Sequence, residues 1–298
     1  MADKFPVLYL RTDSPLVIEQ LGSKEKFWFR RQDDEQPWLF KFSRENTGED
    51  WSEKIASEIA ALLRIRAAKV ELAEFQGRRG SASRSFVFRT RGQGLIHGSE
   101  ILAGRVFGYD KTRMRGQNQH SISNIITAVE QSFAMNRRRR QLTILSAYIF
   151  LDALICKTDR HHDNWGLLRW RPSRGKPLHT VAPSFDHASS LGRELSDERR
   201  QGLMEGGKIL RYIQNGHGGV FWEEASPKGA NPMELAVKTA QRFPQYFRLW
   251  FQQLRQLDSK AFHDIVNRVP DDRMGRIAKS FSKEFLRVTR QLLEEVEV

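Results

Sequence analysis

Over the first 90 residues apolar positions come in short runs broken by polar turns, whereas beyond about residue 120 they recur at helical spacing. Lys26–Arg31 and Pro37–Ser43 are aromatic-rich runs on either side of the polar turn Gln32–Gln36, which predicts a β-hairpin, and Ser83–Thr90 reads as another strand. Between them, Ser52–Arg66 sets Ile55, Ile59, Leu62 and Leu63 on one face of a helix behind the capping candidates Asp50 and Ser52. Helices are expected at Ile122–Met135, Arg140–Lys157, Pro232–Leu257 with a break near Pro244, Ser259–Arg268 and Met274–Val298. Two apolar segments, Trp165–Trp170 and Leu178–Val181, form a hairpin directly after a polar loop. The pattern is α+β: a small β-rich lobe over residues 1–92 and a larger helical lobe over 93–298, with a ligand site expected in the cleft where they meet.

Composition narrows the class. With 298 residues, 39% hydrophobic and 10% aromatic, the chain can bury a large core. The longest apolar run, Ile144–Cys156, is interrupted by Ser146, Tyr148 and Asp152 and falls short of the roughly 20 residues a membrane-spanning helix needs. The amino terminus lacks the apolar core of a secretory signal, and the single cysteine, Cys156, forms no internal disulfide, so a cytoplasmic protein is expected. The net charge of +13 is uneven: Lys plus Arg against Asp plus Glu is 8 to 10 over residues 1–50, 17 to 7 over 51–150 and 24 to 19 over 151–298. Arg105, Lys111, Arg113 and Arg115 lie in a Gly- and Gln-rich stretch expected to be a mobile loop, and Arg137–Arg140 form an unbroken basic run. These stretches read either as solvated faces or as docks for phosphate, acidic protein or nucleic acid. No zinc-finger spacing or base-reading pattern accompanies them, so direct sequence-specific nucleic-acid recognition is not expected.

The chemistry concentrates in Cys156-Lys157-Thr158-Asp159-Arg160-His161-His162-Asp163-Asn164. An Asp followed five residues later by an Asn is the spacing at which a phosphoryl-transfer loop places a hydroxyl-orienting carboxylate and an oxygen ligand for magnesium, and Asp159 and Asn164 have it. A second metal carboxylate is expected on the next hairpin, where Asp186 follows Phe185. His161 is expected to hydrogen-bond the loop and hold Asp159. A competing reading makes His161, His162 and Asp163 ligands of zinc or manganese, and a third makes the segment a polar loop without catalysis. Lys41 is the one charge in the apolar strand Trp38–Phe42, and Glu58 shares the buried stripe of the helix, which suggests an ion pair that either positions Lys41 on nucleotide phosphates or is structural. Gly22-Ser23-Lys24 is a candidate phosphate loop, or a plain turn.

Together these segments resemble the HipA-like serine/threonine kinase family: Gly22-Ser23-Lys24, Phe40-Lys41-Phe42, the helix bearing Glu58, Leu95-Ile96-His97-Gly98-Ser99-Glu100, Thr158-Asp159-Arg160-His161 through Asn164, and Phe185-Asp186. They run in the family's order over residues about 16–195. The resemblance implies a two-lobed protein-kinase-like fold and transfer of the γ-phosphoryl group of ATP to a protein serine or threonine. By the same likeness Lys41 binds ATP phosphates, Asp159 is the catalytic aspartate, Asn164 and Asp186 bind Mg²⁺, and Ser85–Thr90, with Phe88, forms the adenine-side hinge. It also implies toxin–antitoxin systems, in which a small helix-turn-helix protein neutralises the kinase. The extra amino-terminal subdomain of longer members is not seen here, and Ser23 is the one serine for phosphate-loop autophosphorylation. Alternatives are a kinase of small molecules or phosphoinositide-like headgroups, and a basic binding module that keeps the fold without turnover.

Overall fold

The computed structural model describes residues 3–12, 14, 17–18, 25–170 and 177–297. By contacts the chain forms two compact units, one of Met1–Phe86, Asp186–Ile209 and Leu257–Arg287, the other of Val87–Phe185, Leu210–Gln256 and Val288–Val298. The first therefore gathers segments well beyond residue 92.

The first unit holds a six-stranded sheet in the order β1-β5-β6-β4-β3-β2, from β1 (Val7–Leu10), β2 (Val17–Ile18), β3 (Lys26–Arg31), β4 (Asp34–Phe42), β5 (Val70–Phe75) and β6 (Arg78–Arg84). Among the described residues of this sheet β1 and β5 pair in parallel and the other neighbours antiparallel. The expected hairpin is β3–β4, with Phe27 opposite Phe40 and Phe29 opposite Trp38. Successive strand residues face opposite sides, so Trp38 and Phe40 enter a cluster with Phe27, Phe29 and Phe75 while Lys41 is left on the other face. Ring centroids of Phe27 and Phe75 stand 4.8 Å apart, edge to face. The helix α1 (Glu49–Leu62) packs on β5 and β6, with Ile55, Ile59 and Leu63 fully buried.

The strand expected over Ser83–Thr90 is displaced. Its residues up to Arg84 belong to β6, which pairs with both β4 and β5. Beyond that ladder the chain runs through Phe88 to a single 3₁₀ turn at Arg89–Arg91, closed by Gly92 at φ +67°. Phe88 is half-buried outside any strand, its N–H donating to Gln93 Oε1 at 3.1 Å.

The second unit carries the three-stranded sheet β7-β8-β9: β7 (Gln93–His97), β8 (Gly166–Trp170) and β9 (Leu178–Val181). Its helices are α2 (Gly98–Ala103), α3 (Ile122–Gln131), α4 (Met135–Ile155), α6 (Ile209–Asn215), α7 (Pro232–Arg242) and α8 (Pro244–Gln256); α5 (Asp197–Glu205), α9 (Ser259–Asn267) and most of α10 (Arg276–Glu294) lie in the first unit. The break at Pro244 separates α7 from α8 as the sequence predicts, since proline has no N–H for the helix ladder. Long α4 forms the core of this unit: Phe150, Leu151 and Leu154 are buried, and Phe150 meets Phe251 of α8 at 5.1 Å. Among the described residues no helix is long and apolar enough to cross a membrane.

Candidate active site

In the second unit the loop following α4 carries Asp159, His161 and Asn164. Helix α4 stops abruptly because Cys156 takes a left-handed conformation (φ 49°) and the N–H of Lys157 donates back to the Asp152 carbonyl at 2.8 Å. The Asp159 carbonyl then accepts from Lys157 Nζ at 3.0 Å and from the Asn164 side-chain nitrogen at 2.6 Å. That second bond orients the Asn164 amide, so its oxygen points elsewhere and carries no hydrogen bond among the described residues. Asn164 is buried, whereas Asp159 is exposed with its carboxylate free of hydrogen bonds among those residues. The loop thus offers one solvent-facing carboxylate and one oriented amide oxygen, a hard donor suited to magnesium.

Arg160 locks this loop. Buried to 6% exposure, its guanidinium grips both Asp152 oxygens at 2.7 and 2.5 Å, the Asn164 carbonyl at 2.6 Å, the Ser184 hydroxyl at 3.0 Å and the Phe185 carbonyl at 3.3 Å. One face of α4 supplies the anchors: Gln141 Oε1 accepts from the Val181 N–H, the Tyr148 hydroxyl donates to the Ala182 carbonyl and Asp152 holds Arg160. These positions fall near multiples of the helical repeat, so one stripe controls both the Asp159–Asn164 loop and the chain leading to Asp186.

The start of α2 supports the other side. The Ser99 hydroxyl donates a very short bond to Asp163, His97 Nδ1 meets the Asp163 carbonyl at 3.0 Å, and the Gly98 N–H donates to the Trp165 carbonyl. A Cβ on Gly98 would stand 2.3 Å from the Trp165 ring and 2.5 Å from the His162 carbonyl, so only glycine permits this approach. His161 Nδ1 accepts from the Asp163 N–H and caps the 3₁₀ turn at His162–Asn164. Its ring thus braces the turn, while the Asp159 carbonyl is held by Lys157 and Asn164. His162 faces elsewhere, with Nδ1 2.9 Å from the Tyr109 hydroxyl. Burial pushes the Tyr109 hydroxyl pKa well above its usual 10.0, with Asp163 adding to it, and burial likewise lowers His162. His120 is buried and neutral: desolvation takes its pKa to about 3, Nδ1 donates to the Gly219 carbonyl and Nε2 accepts from Trp165. The rings of His161 and His162 are 6.3 Å apart at 88°, and no trio of His, Cys, Asp or Glu among the described residues converges as metal ligands. Tyr109 also anchors the basic stretch expected to be loose, assisted by Gln117, whose side chain donates to the Asp110 carbonyl.

The first unit gathers a different set. Lys41 Nζ donates to Asp186 Oδ1 at 2.9 Å. Desolvation lowers the Lys41 pKa, but the charges of Asp186 and Glu53 outweigh it and hold the group above its ordinary 10.5. Asp186 adopts φ +60°, a conformation that costs a non-glycine residue about 1–2 kcal/mol and is characteristic of functional sites. Glu53 of α1, 1% exposed, accepts from the His187 N–H at 2.8 Å, while its Oε2 is buried without a hydrogen bond among the described residues. The first turns of α1 hold the chain after Asp186: Glu49 accepts from Arg193 at 2.7 Å, Ser52 pairs with Ser190, and Glu53 takes His187.

The expected Lys41–Glu58 pair does not form. Glu58 accepts from Lys54 at 2.6 Å, and Lys54 also pairs with Glu71 at 2.8 Å. About 1.4 helical turns separate Glu53 from Glu58, so they leave α1 in different directions. Glu53 is hidden in the sequence because it follows Ser52 and resembles first-turn capping chemistry; its signal is the spacing of Glu49, Ser52 and Glu53 on one face. Arg160 is legible only as part of a motif, since its acceptors come from separate segments. Gly22, Ser23 and Lys24 lie outside the described residues.

The sequence profile of the HipA-like C-terminal domain matches residues 9–269. No curated protein matches the chain. Among solved structures, the crystal structure of the Helicobacter pylori proinflammatory kinase CtkA superposes with a TM-score of 0.76 at 17% identity, covering 97% of each chain. HipA of Shewanella oneidensis MR-1, from a toxin–antitoxin complex with HipB and operator DNA, gives a TM-score of 0.54 at 11% identity over 97% of this chain and 69% of that one. The fold is therefore α+β and kinase-like.

Proposed function

The chain belongs to the HipA-like C-terminal domain family, and from that premise we propose that it is an ATP- and Mg²⁺-dependent kinase transferring the γ-phosphoryl group to a protein serine or threonine. The observation that carries this reading is the loop in which exposed Asp159 and the oriented amide oxygen of Asn164 are fixed by one hydrogen bond and locked by Arg160. Phosphoryl transfer is catalysed chiefly by positioning and charge neutralisation; such a loop supplies the positioning, and its amide oxygen is a ligand through which a neutralising cation would be held.

Asp159 accepts the proton of the attacking hydroxyl and orients it. The Asn164 amide oxygen and the Asp186 carboxylate would hold Mg²⁺, which would supply charge neutralisation for the phosphates of ATP. Lys41 supplies a cation to the phosphates, and Glu53 takes the helix-carboxylate role expected of Glu58 because its unsatisfied Oε2 can accept a hydrogen bond from the Lys41 ammonium. Gly22, Ser23 and Lys24 serve the phosphates and Phe88 the adenine. The division of labour is nucleotide handling by residues up to about 92, joined by the metal ligands Asn164 and Asp186, and orientation of the acceptor by Asp159 beyond them. The setting is cytoplasmic, in keeping with the single, buried cysteine at Cys156. A small DNA-binding antitoxin is the partner class to test first, because the Shewanella HipA structure contains HipB.

The test is incubation of the chain with γ-labelled ATP, Mg²⁺ and a protein mixture, followed by identification of the labelled residue. Label on serine or threonine, abolished by chelation of the metal, supports the reading. Label confined to small molecules or lipid headgroups would assign a different substrate class, and ATP binding without any transfer would make the chain a binding module.

A further inference from the structure

Two basic stretches that are distant in sequence meet on the β8–β9 hairpin of the second unit. Arg169 and His179 are direct partners across the two strands, which places their Cβ atoms on one face about 5 Å apart. On its other side Arg169 pairs with Gly94 of β7, where open space surrounds the position a Cβ would take. Arg137, in the first turn of α4, donates through Nη2 to the His179 carbonyl at 2.8 Å. Arg105, just beyond α2, is exposed, donates to the Ile101 carbonyl at 3.4 Å, and its charge is felt at the same imidazole. Burial lowers the His179 pKa, and the positive charges of Arg169, Arg137 and Arg105 lower it further; no acid is among the groups acting on it. None of these three guanidiniums has a carboxylate partner among the described residues, although ion pairs are frequent elsewhere in the chain. Three clustered, unneutralised guanidiniums repel one another, and an anion seated between them relieves that repulsion.

We propose that Arg105, Arg137, Arg169 and His179 form a docking site for the phosphate group of a phosphorylated serine or threonine in a peptide. Arg169 and His179 on one strand pair and Arg137 on one helix turn converge, with Arg105 adding its charge from just beyond α2, which suits a single dianion with three acceptor oxygens. A nucleic-acid strand asks instead for a track of cations along successive phosphates. The site uses none of the groups assigned to transfer, so it stands or falls separately from the kinase reading.

The experiment is calorimetric titration of the full chain with a phosphoserine peptide of otherwise neutral residues, its unphosphorylated counterpart, inorganic phosphate and a short single-stranded oligonucleotide. The phosphopeptide is expected to bind and the unphosphorylated peptide not to. Arg169→Gln should weaken phosphopeptide binding about tenfold or more, as loss of a charge-assisted fork predicts, with Arg169→Lys intermediate. Nuclear magnetic resonance of the His179 ring should show its pKa rising when the phosphopeptide is bound, because a dianion favours the imidazolium. Phosphoryl transfer to an unphosphorylated substrate should be unchanged in Arg169→Gln, and circular dichroism checks that the variant is folded. Equal binding of the two peptides, parental affinity in folded Arg169→Gln, or an unmoved His179 overturns the proposal. So does inorganic phosphate binding as tightly as the phosphopeptide, which makes the site one for the free ion, or an oligonucleotide binding more tightly through the same residues.

Discussion

The loop after α4 and the charged set around Lys41 are organised on opposite principles. Around Asp159 nearly every polar group is satisfied: Arg160 makes five contacts, Asp163 is held by α2, and the open positions are the Asp159 carboxylate and the Asn164 amide oxygen. Around Lys41 a strand lysine, a left-handed aspartate and a buried glutamate lean on one another, and Glu53 Oε2 has no hydrogen bond among the described residues. The first region is preorganised, as the proposed transfer asks, since fixed dipoles cost nothing to rearrange. The second pairs its charges with one another, a pairing that the metal and phosphates of the proposed reaction would redistribute.

If that contrast is right, mutations should fail in different ways. Lys41→Met should reduce transfer on the order of 100- to 1000-fold, the loss typical of one positioned charge stabiliser, while thermal unfolding changes little. A comparable loss of stability would mean the Lys41–Asp186 pair is structural. Arg160→Met should do the reverse first, lowering stability by about 3–5 kcal/mol in urea unfolding because it strands buried Asp152. Retained stability would show that the loop does not depend on that lock. Glu53→Gln and Glu58→Gln separate the two glutamates of α1: the first should impair transfer, and the second should leave it near the parental rate with a stability cost of about 0.5–1 kcal/mol, since Glu58 is partly exposed. The opposite ranking would restore Glu58 to the site.

The smallest effect concerns pH and a residue remote from transfer. Asp34 accepts from Arg84, from the Gln36 N–H and from the Trp38 ring nitrogen; the Arg84 bond is the main cause holding its pKa well below the usual 3.8. Its stabilising contribution is therefore present above pH 3.8 and fades as the pH falls through the folded-state value. Asp34→Asn should flatten the loss of stability on acidification below about pH 4, read from unfolding midpoints along a pH series. An unchanged slope would show that other carboxylates govern acid unfolding.

Much of this architecture is legible in the order of residues alone. The β3–β4 hairpin, the α1 stripe, the proline break and the β8–β9 hairpin each follow from local periodicity or backbone chemistry, and the order of motifs carries the family. Strands β1 and β7 escape such a reading because their pairing is long-range, and β5, although it turns directly into β6, escapes because Val70–Phe75 alternates weakly and gains its identity from neighbours on both sides. Glu53 escapes for a related reason. A buried carboxylate is identified by what packs against it, and His187 and Asp186 come from a segment far along the chain, while Lys41 comes from a neighbouring strand. Local sequence shows which residues can do chemistry; partner choice is a property of the tertiary fold.

The central claim is that Asp159 orients the acceptor while Asp186 handles the metal and nucleotide, and paired measurements of ATP affinity and transfer on two asparagine variants test it most directly. Asp159→Asn should keep Mg²⁺-dependent ATP binding and lose transfer by about 100-fold or more, the range for a positioned general base. Asp186→Asn should lose both the magnesium dependence of ATP binding and transfer, with the fold intact by circular dichroism. Transfer persisting in Asp159→Asn, or undiminished Mg²⁺-dependent binding in Asp186→Asn, would contradict the account.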